Sequence, residues 1–247
     1  MTGIALIFDF DGTVLDTEKE VYAAWQRVYA DHGQPLPMEE WLQVVGRASN
    51  HRDFHAELEQ LTGKQLDREA LNARRTREIK EALEGEPPRP GVKDAIDAAV
   101  AAGHQLAVVS GSGREWVEGH LQRLGLRDAF GPLICRGDTP FHKPHPQPFL
   151  AAAYTLGVSP KRCIVVEDSV NGATAAVKAG MLTIVAPNVI TAAADFSKLR
   201  LDVKVDDLAG LDWSDLFERA RTRDYPRHAK GGLLSRLFGR KRNPYEA

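Results

Sequence analysis

Four short motifs hold the residue types most capable of chemistry. Asp9-Phe10-Asp11-Gly12-Thr13 sets two carboxylates at i and i+2, with an apolar residue between and a glycine after. On a regular strand the two would share a face. Taken alone, the string also fits an Asx turn or a fragment of a calcium loop. Ser110-Gly111-Ser112-Gly113 offers a small hydroxyl and glycines that let backbone N–H groups approach a phosphate, or it is simply a glycine-rich turn. Lys143-Pro144 puts a cation in a proline-stiffened loop, where it can neutralise charge on a transferring phosphoryl group or stay solvated. Glu167-Asp168-Ser169 places adjacent carboxylates after an apolar run. They are costly to desolvate unless a cation offsets them, and hard oxygen ligands suit Mg²⁺; acids capping the next helix are the plainer reading.

These motifs need elements that present them together. Ile4–Phe8, Gln105–Val109, Leu133–Cys135, Cys163–Val166, Leu182–Val185 and Val203–Val205 are short and apolar on consecutive positions. That pattern predicts strands buried on both faces, as in a parallel sheet. Helical patterns ending at Gly103, Gly125, Gly157 and Gly180 alternate with them. The predicted fold class is α/β: a Rossmann-like parallel sheet core, with right-handed crossovers. All four motifs sit at ends of predicted strands, where an open α/β sheet binds its ligand. From Thr17 to about Glu86 no strand is convincing. Val21, Ala24, Trp25, Val28 and Tyr29 form a helical stripe, and Trp41–Val45, Phe54–Leu61 and Leu71–Leu83 read as further helices. The predicted division is a core of residues 1–16 and 88–217, a helical insertion of 17–87, and a basic tail of 218–247.

The 247 residues are 43% hydrophobic and 27% charged, ordinary for a globular protein. A net charge of −2 does not advertise nucleic-acid binding. Cys135 and Cys163 are too few for a disulfide scaffold, and nothing approaches a membrane-spanning run, so a cytoplasmic monomer is expected. The tail carries nine Lys/Arg against three Asp/Glu, which leaves −8 for the body. It reads as solvated and partly disordered, with a basic amphipathic helix as the sharper alternative.

The ordered set DxDGT, Ser, Lys-Pro and Glu-Asp, with Leu15-Asp16-Thr17-Glu18, KPxPxxF and EDSxxG over Glu167–Gly172, resembles the haloacid dehalogenase superfamily. The likeness spans residues 4–215 and is nearest to sugar-phosphate phosphatases and the β-phosphoglucomutase group, in the branch with a helical cap. The resemblance implies that Asp9 is a nucleophile forming an aspartyl-phosphate and that Asp11 is the general acid and base. It implies that Ser110, Gly111 and Lys143 hold the phosphoryl oxygens. It implies that Mg²⁺ would sit chiefly on Asp168, with Asp9, Asp11 (through its backbone carbonyl) and Glu167, the last touching the metal directly or through a neighbour. Arg47, in a cap loop, and Arg114 are candidate substrate contacts; His51 and His55 read as surface residues. Asp11 argues against dehalogenation. Val21 stands where the mutase group carries a gating histidine, and Gly113-Arg114 also departs from the mutase pattern. The expected function is therefore a Mg²⁺-dependent phosphatase of a small phosphomonoester. A hexose-phosphate mutase and a non-enzymatic regulatory module are the alternatives.

Overall fold

The computed structural model describes residues 3–45 and 52–223. Arg47, His51 and the tail from residue 224 lie outside the described residues.

The six strands form one sheet: β1 (Ala5–Phe8), β2 (Gln105–Val109), β3 (Leu133–Ile134), β4 (Cys163–Glu167), β5 (Leu182–Val185) and β6 (Val203–Lys204). Their order is β3-β2-β1-β4-β5-β6, and every pairing is parallel. Consecutive apolar residues are required because both faces are covered. Leu6, Phe8, Leu106, Val108, Ile164 and Val166 face α5 (Val92–Ala101), α6 (Arg114–Arg123) and α9 (Trp213–Thr222). Ala5, Ile7, Ala107, Val109, Cys163 and Val165 pack instead on α7 (Gln147–Thr155) and α8 (Val170–Lys178). The chain runs outward from β1 through β2 to β3, then crosses back to β4 on the other side of β1. That reversal opens a crevice at the carboxyl ends of β1 and β4.

Between β1 and α5 stand α1 (Glu18–Asp31), α2 (Met38–Leu42), α3 (Phe54–Thr62) and α4 (Arg68–Leu83). They share an aromatic core of Tyr22, Trp25, Tyr29, Trp41 and Phe54 around Leu58. Asp53 and Asp67 cap α3 and α4 by accepting backbone N–H groups. The second helix begins at Met38, earlier than the predicted Trp41, because Pro37 precedes its first turn and Glu39 and Glu40 favour its N-terminus. The segments leading into and out of this insertion run side by side, with the Arg89 N–H donating to the Val14 carbonyl at 2.9 Å.

The predicted tail starts too early. In α9 Trp213, Leu216, Phe217 and Ala220 make one buried stripe, so residues 218–222 belong to a helix packed on the core. The stripe has helical spacing, but its arginines drew it into the basic segment.

Candidate active site

Asp9 follows β1 and keeps the ladder going, its N–H donating to the Val166 carbonyl at 2.9 Å. The chain then turns sharply at Gly12, whose φ is +80°. A Cβ there would lie 2.4 Å from Asn188 Nδ2 and 2.5 Å from Asp168 Oδ2, so only glycine fits. This turn brings Asp9 and Asp11 over the sheet edge together.

Lys143 Nζ donates to Asp9 Oδ1 at 2.5 Å, Glu167 Oε1 at 2.7 Å and the Val109 carbonyl at 2.8 Å. All three residues of this ion-pair cluster are buried. The other oxygen of Glu167 accepts from the N–H groups of Asp168 and Ser169 and from the Ser169 hydroxyl. Asp168 is held by neutral donors: Asn188 Nδ2 at 2.7 Å, Thr13 Oγ1 at 3.3 Å and Thr191 Oγ1 at 3.5 Å. Asp11 accepts from Thr17 Oγ1 (3.0 Å), Trp116 Nε1 (2.8 Å) and Ser110 Oγ (3.1 Å).

One oxygen each of Asp9, Glu167 and Asp168 lies within 4.8 Å of the others. Three buried carboxylates cluster around a single ammonium, which pairs directly with two of them, so full ionisation would leave negative charge uncompensated. Burial therefore pushes the Asp9 carboxyl from its ordinary 3.8 up to about 8; Lys143 offsets this only in part, and the charges of Glu167 and Asp11 add to it. Burial, then the charges of Asp9 and Glu167, drives Asp168 well above its ordinary value. Burial works against the charged form of Lys143, but Asp9 and Glu167 outweigh it and its pKa is raised. Oxygen donors with uncompensated negative charge fit a hard divalent cation.

A cavity of about 720 Å³ opens above Asp9 and Asp11 toward the helical insertion. Glu18, Val21, Trp25, Trp41, His55 and Arg75 line its far wall, with Gly111, Ser112 and Arg136 on the core side.

Residues 5–180 match the haloacid dehalogenase-like hydrolase family. The chain belongs to that family. Among relatives, YhcW of Bacillus subtilis (strain 168), named provisionally as a phosphatase, is 38% identical over 89% of this chain and 99% of its own. Fructose-1-phosphate phosphatase YqaB of Escherichia coli (strain K12) is 34% identical over 71% of this chain and 92% of its own. The crystal structure of CbbY from Rhodobacter sphaeroides in complex with phosphate superposes with a TM-score of 0.68 at 27% identity, covering 85% of this chain and 96% of that one. Family and relatives make this chain a phosphoric monoester hydrolase of the group that includes sugar-phosphate phosphatases.

Against that family frame, the structure brings Asp9, Asp11, Ser110, Lys143, Glu167 and Asp168 to one rim and sets Gly111 in the cavity wall. Two expectations need correction. Arg114 donates to Asp138 at 2.7 Å and to the Leu133 carbonyl at 3.0 Å, and is not in the cavity lining. Arg136, two residues past β3, lines the core side in its stead. His55 is not a surface residue: it packs 4.9 Å from the Trp25 ring, and its buried Nε2 has no partner. Burial and the nearby Arg75 charge lower its pKa.

Several residues escaped the sequence reading. Arg75 stacks 3.6 Å from the Trp25 ring centroid, and burial brings its guanidinium down to about 10. Burial, then the charges of Asp11 and Asp9, push Glu18 up to about 8. Asn188 follows β5, so the strand-end rule that found Asp168 would also have found it. Arg89 donates to the carbonyls of Gly12 (2.6 Å), Ala186 (2.8 Å) and Pro187 (2.9 Å), tying the insertion's return to both acidic loops.

Proposed function

We propose that the chain is a Mg²⁺-dependent phosphatase of small phosphomonoesters that works through an aspartyl-phosphate on Asp9. The observation that carries this reading is the convergence of three buried carboxyl groups, Asp9, Glu167 and Asp168, on one point beside Lys143. Asp9 and Asp168 would hold the cation, with the Asp11 carbonyl. Glu167, paired with the Lys143 ammonium through one oxygen where Asp168 has only neutral donors, would act by fixing Lys143 and the Asp168 loop. When bound, Mg²⁺ offsets charge on the phosphoryl oxygens and on Asp9.

A carboxylate oxygen of Asp9 attacks phosphorus in line, and the bond to the ester oxygen breaks. Asp11 gives its proton to the departing alkoxide. It then takes a proton from the water that attacks the phospho-aspartate, which releases inorganic phosphate and restores both side chains. The Ser110 hydroxyl, the Gly111 N–H and Lys143 support the phosphoryl oxygens. The organic part lies in the cavity, whose volume suits a small metabolite. The helical insertion serves as a cap that excludes water. Arg47, in the segment outside the described residues, stays a candidate contact.

Phosphorylated ketoses and hexitols are the first substrates to try, given the names of YqaB and of hexitol phosphatase B from Escherichia coli. Phosphate release from a panel of such esters should require Mg²⁺ and stop with EDTA; release from none of them, or undiminished release in EDTA, refutes the reading. Val21 offers the cavity no titratable group to shield a phosphoenzyme from water, which favours hydrolysis over a mutase. β-Glucose 1-phosphate with a bisphosphate primer should accordingly yield free phosphate rather than isomerised sugar.

The acidic cluster also sets a pH dependence. The folded pKa of Asp9 lies above its unfolded value, so the metal-free fold binds the extra proton and loses stability as pH rises from about 4 to about 8. Lys143 stays charged throughout this window and does not reverse the trend. Saturating Mg²⁺ should therefore raise Tm more at pH 8 than at pH 5.5. Equal increments in a thermal melt would contradict the link.

A further inference from the structure

Within one turnover Asp11 must give up a proton and then accept one, so the orientation of its two oxygens matters. Oδ1 accepts from Thr17 Oγ1 and Trp116 Nε1, and Oδ2 from Ser110 Oγ. A hydroxyl can rotate to donate or accept, whereas an indole N–H only donates. Resting on the phosphatase reading above, we infer that Trp116 is a positioning residue for Asp11. Its N–H keeps Oδ1 an acceptor throughout the cycle, which leaves Oδ2 to carry the proton to the leaving group and to take it back from water.

The placement of Trp116 suits this role. Thr17 lies at the junction with the insertion and Ser110 in a glycine-rich turn, but Trp116 stands on α6, which is anchored to the sheet by the fully buried Val117 and Leu121. The indole packs against the His120 ring at 4.3 Å. His120 in turn lies 6.2 Å from Phe10, the residue between the two aspartates. By contrast, the buried indole nitrogen of Trp213 has no hydrogen-bond partner among the described residues. The N–H of Trp116 is thus spent on the proposed acid.

Trp116→Phe keeps the ring's packing and removes the donor. The readout is kcat/KM with Mg²⁺ for the best alkyl phosphate and for p-nitrophenyl phosphate, because kcat/KM reports the steps through the first phosphoryl transfer. Nitrophenolate departs without needing a proton, whereas an alkoxide needs one. The alkyl-to-aryl ratio should fall about tenfold in Trp116→Phe. A merely structural role would lower both values together, and a ratio within about twofold of wild type overturns the inference. A second readout leaves position 116 intact. The Trp116 indole proton should resonate downfield of the other three tryptophans and move upfield in Asp11→Ala. A resonance that does not move also overturns the inference. If the wild-type protein releases phosphate from neither ester, the phosphatase reading itself fails; normal turnover with an unchanged ratio sinks only the role of Trp116.

Discussion

Asp9→Asn should lose phosphatase activity by about 10⁴-fold or more, while the metal-free protein at pH 8 becomes more heat-stable than wild type. The first effect follows from the proposed chemistry, because an amide is a poor nucleophile and cannot form the phospho-aspartate. The second follows from burial. Asp9 is 4% exposed, its carboxyl is pushed up to about 8, and it shares one ammonium with Glu167. Asparagine keeps the shape and removes a charge that costs folding free energy once ionised. A Tm gain of about 5 °C corresponds to one to two kcal/mol in a chain of this size. Mg²⁺ should stabilise the variant less than it stabilises wild type. An active variant refutes the nucleophile; an inactive variant with lowered Tm and undiminished Mg²⁺ stabilisation refutes the electrostatic account.

Gly172→Ala should be nearly as damaging, although Gly172 contacts no substrate in the proposed scheme. A Cβ at this position would fall 1.7 Å from Glu167 Oε1 and 2.2 Å from Oε2. The carboxylate cannot swing aside freely, because Oε1 holds Lys143 and Oε2 accepts from Ser169. Moving it breaks a buried ion pair, a loss of about 3–5 kcal/mol when one partner is removed. Lys143 would then keep only Asp9 and the Val109 carbonyl. We expect kcat/KM to fall by about 10³-fold, near 4 kcal/mol in the barrier, and Tm to drop. Helix propensity alone predicts the opposite sign, since alanine in a helix interior gains about 0.5–1 kcal/mol over glycine. Gly119 in α6 is the control: a Cβ there meets nothing within 4 Å. Gly119→Ala should gain slightly in Tm and keep its activity. If the two variants melt alike, the clash at Glu167 is not limiting.

The sheet was legible because two-sided burial leaves a local signature. Residues 163–166 and 182–185 are apolar at every position or nearly so, and a strand of this kind needs no partner to be recognised. The motif residues were legible because they come in fixed order, three of the motifs at or directly after a strand end and Lys143 in the loop after β3. The reading was weaker where a side chain's role depends on what the fold sets beside it. His55 is unremarkable in sequence and becomes a cavity residue only when α3 packs on Trp25. Arg114 and Arg136 are equally plausible cations until Asp138 draws one of them away. Trp116 looks like one more apolar position on a helix face; its N–H matters only because α6 lies beside the turn that carries Asp11. The stripe in α9 is local, and its helical periodicity is a better guide to its structure than the net charge of the segment.

The central place of β1 also bears on how the protein is made. Ala5 pairs with Gln105 on one side and with Cys163 on the other. β1 must wait for about 100 residues before its first neighbour exists, and for some 60 more before its second. Such long-range pairing is intrinsically slow. The helices that follow β1 have their own aromatic core, so they can collapse first, while an apolar strand behind them is still bare. The nascent chain is therefore most prone to aggregation between completion of those helices and synthesis of residue 167.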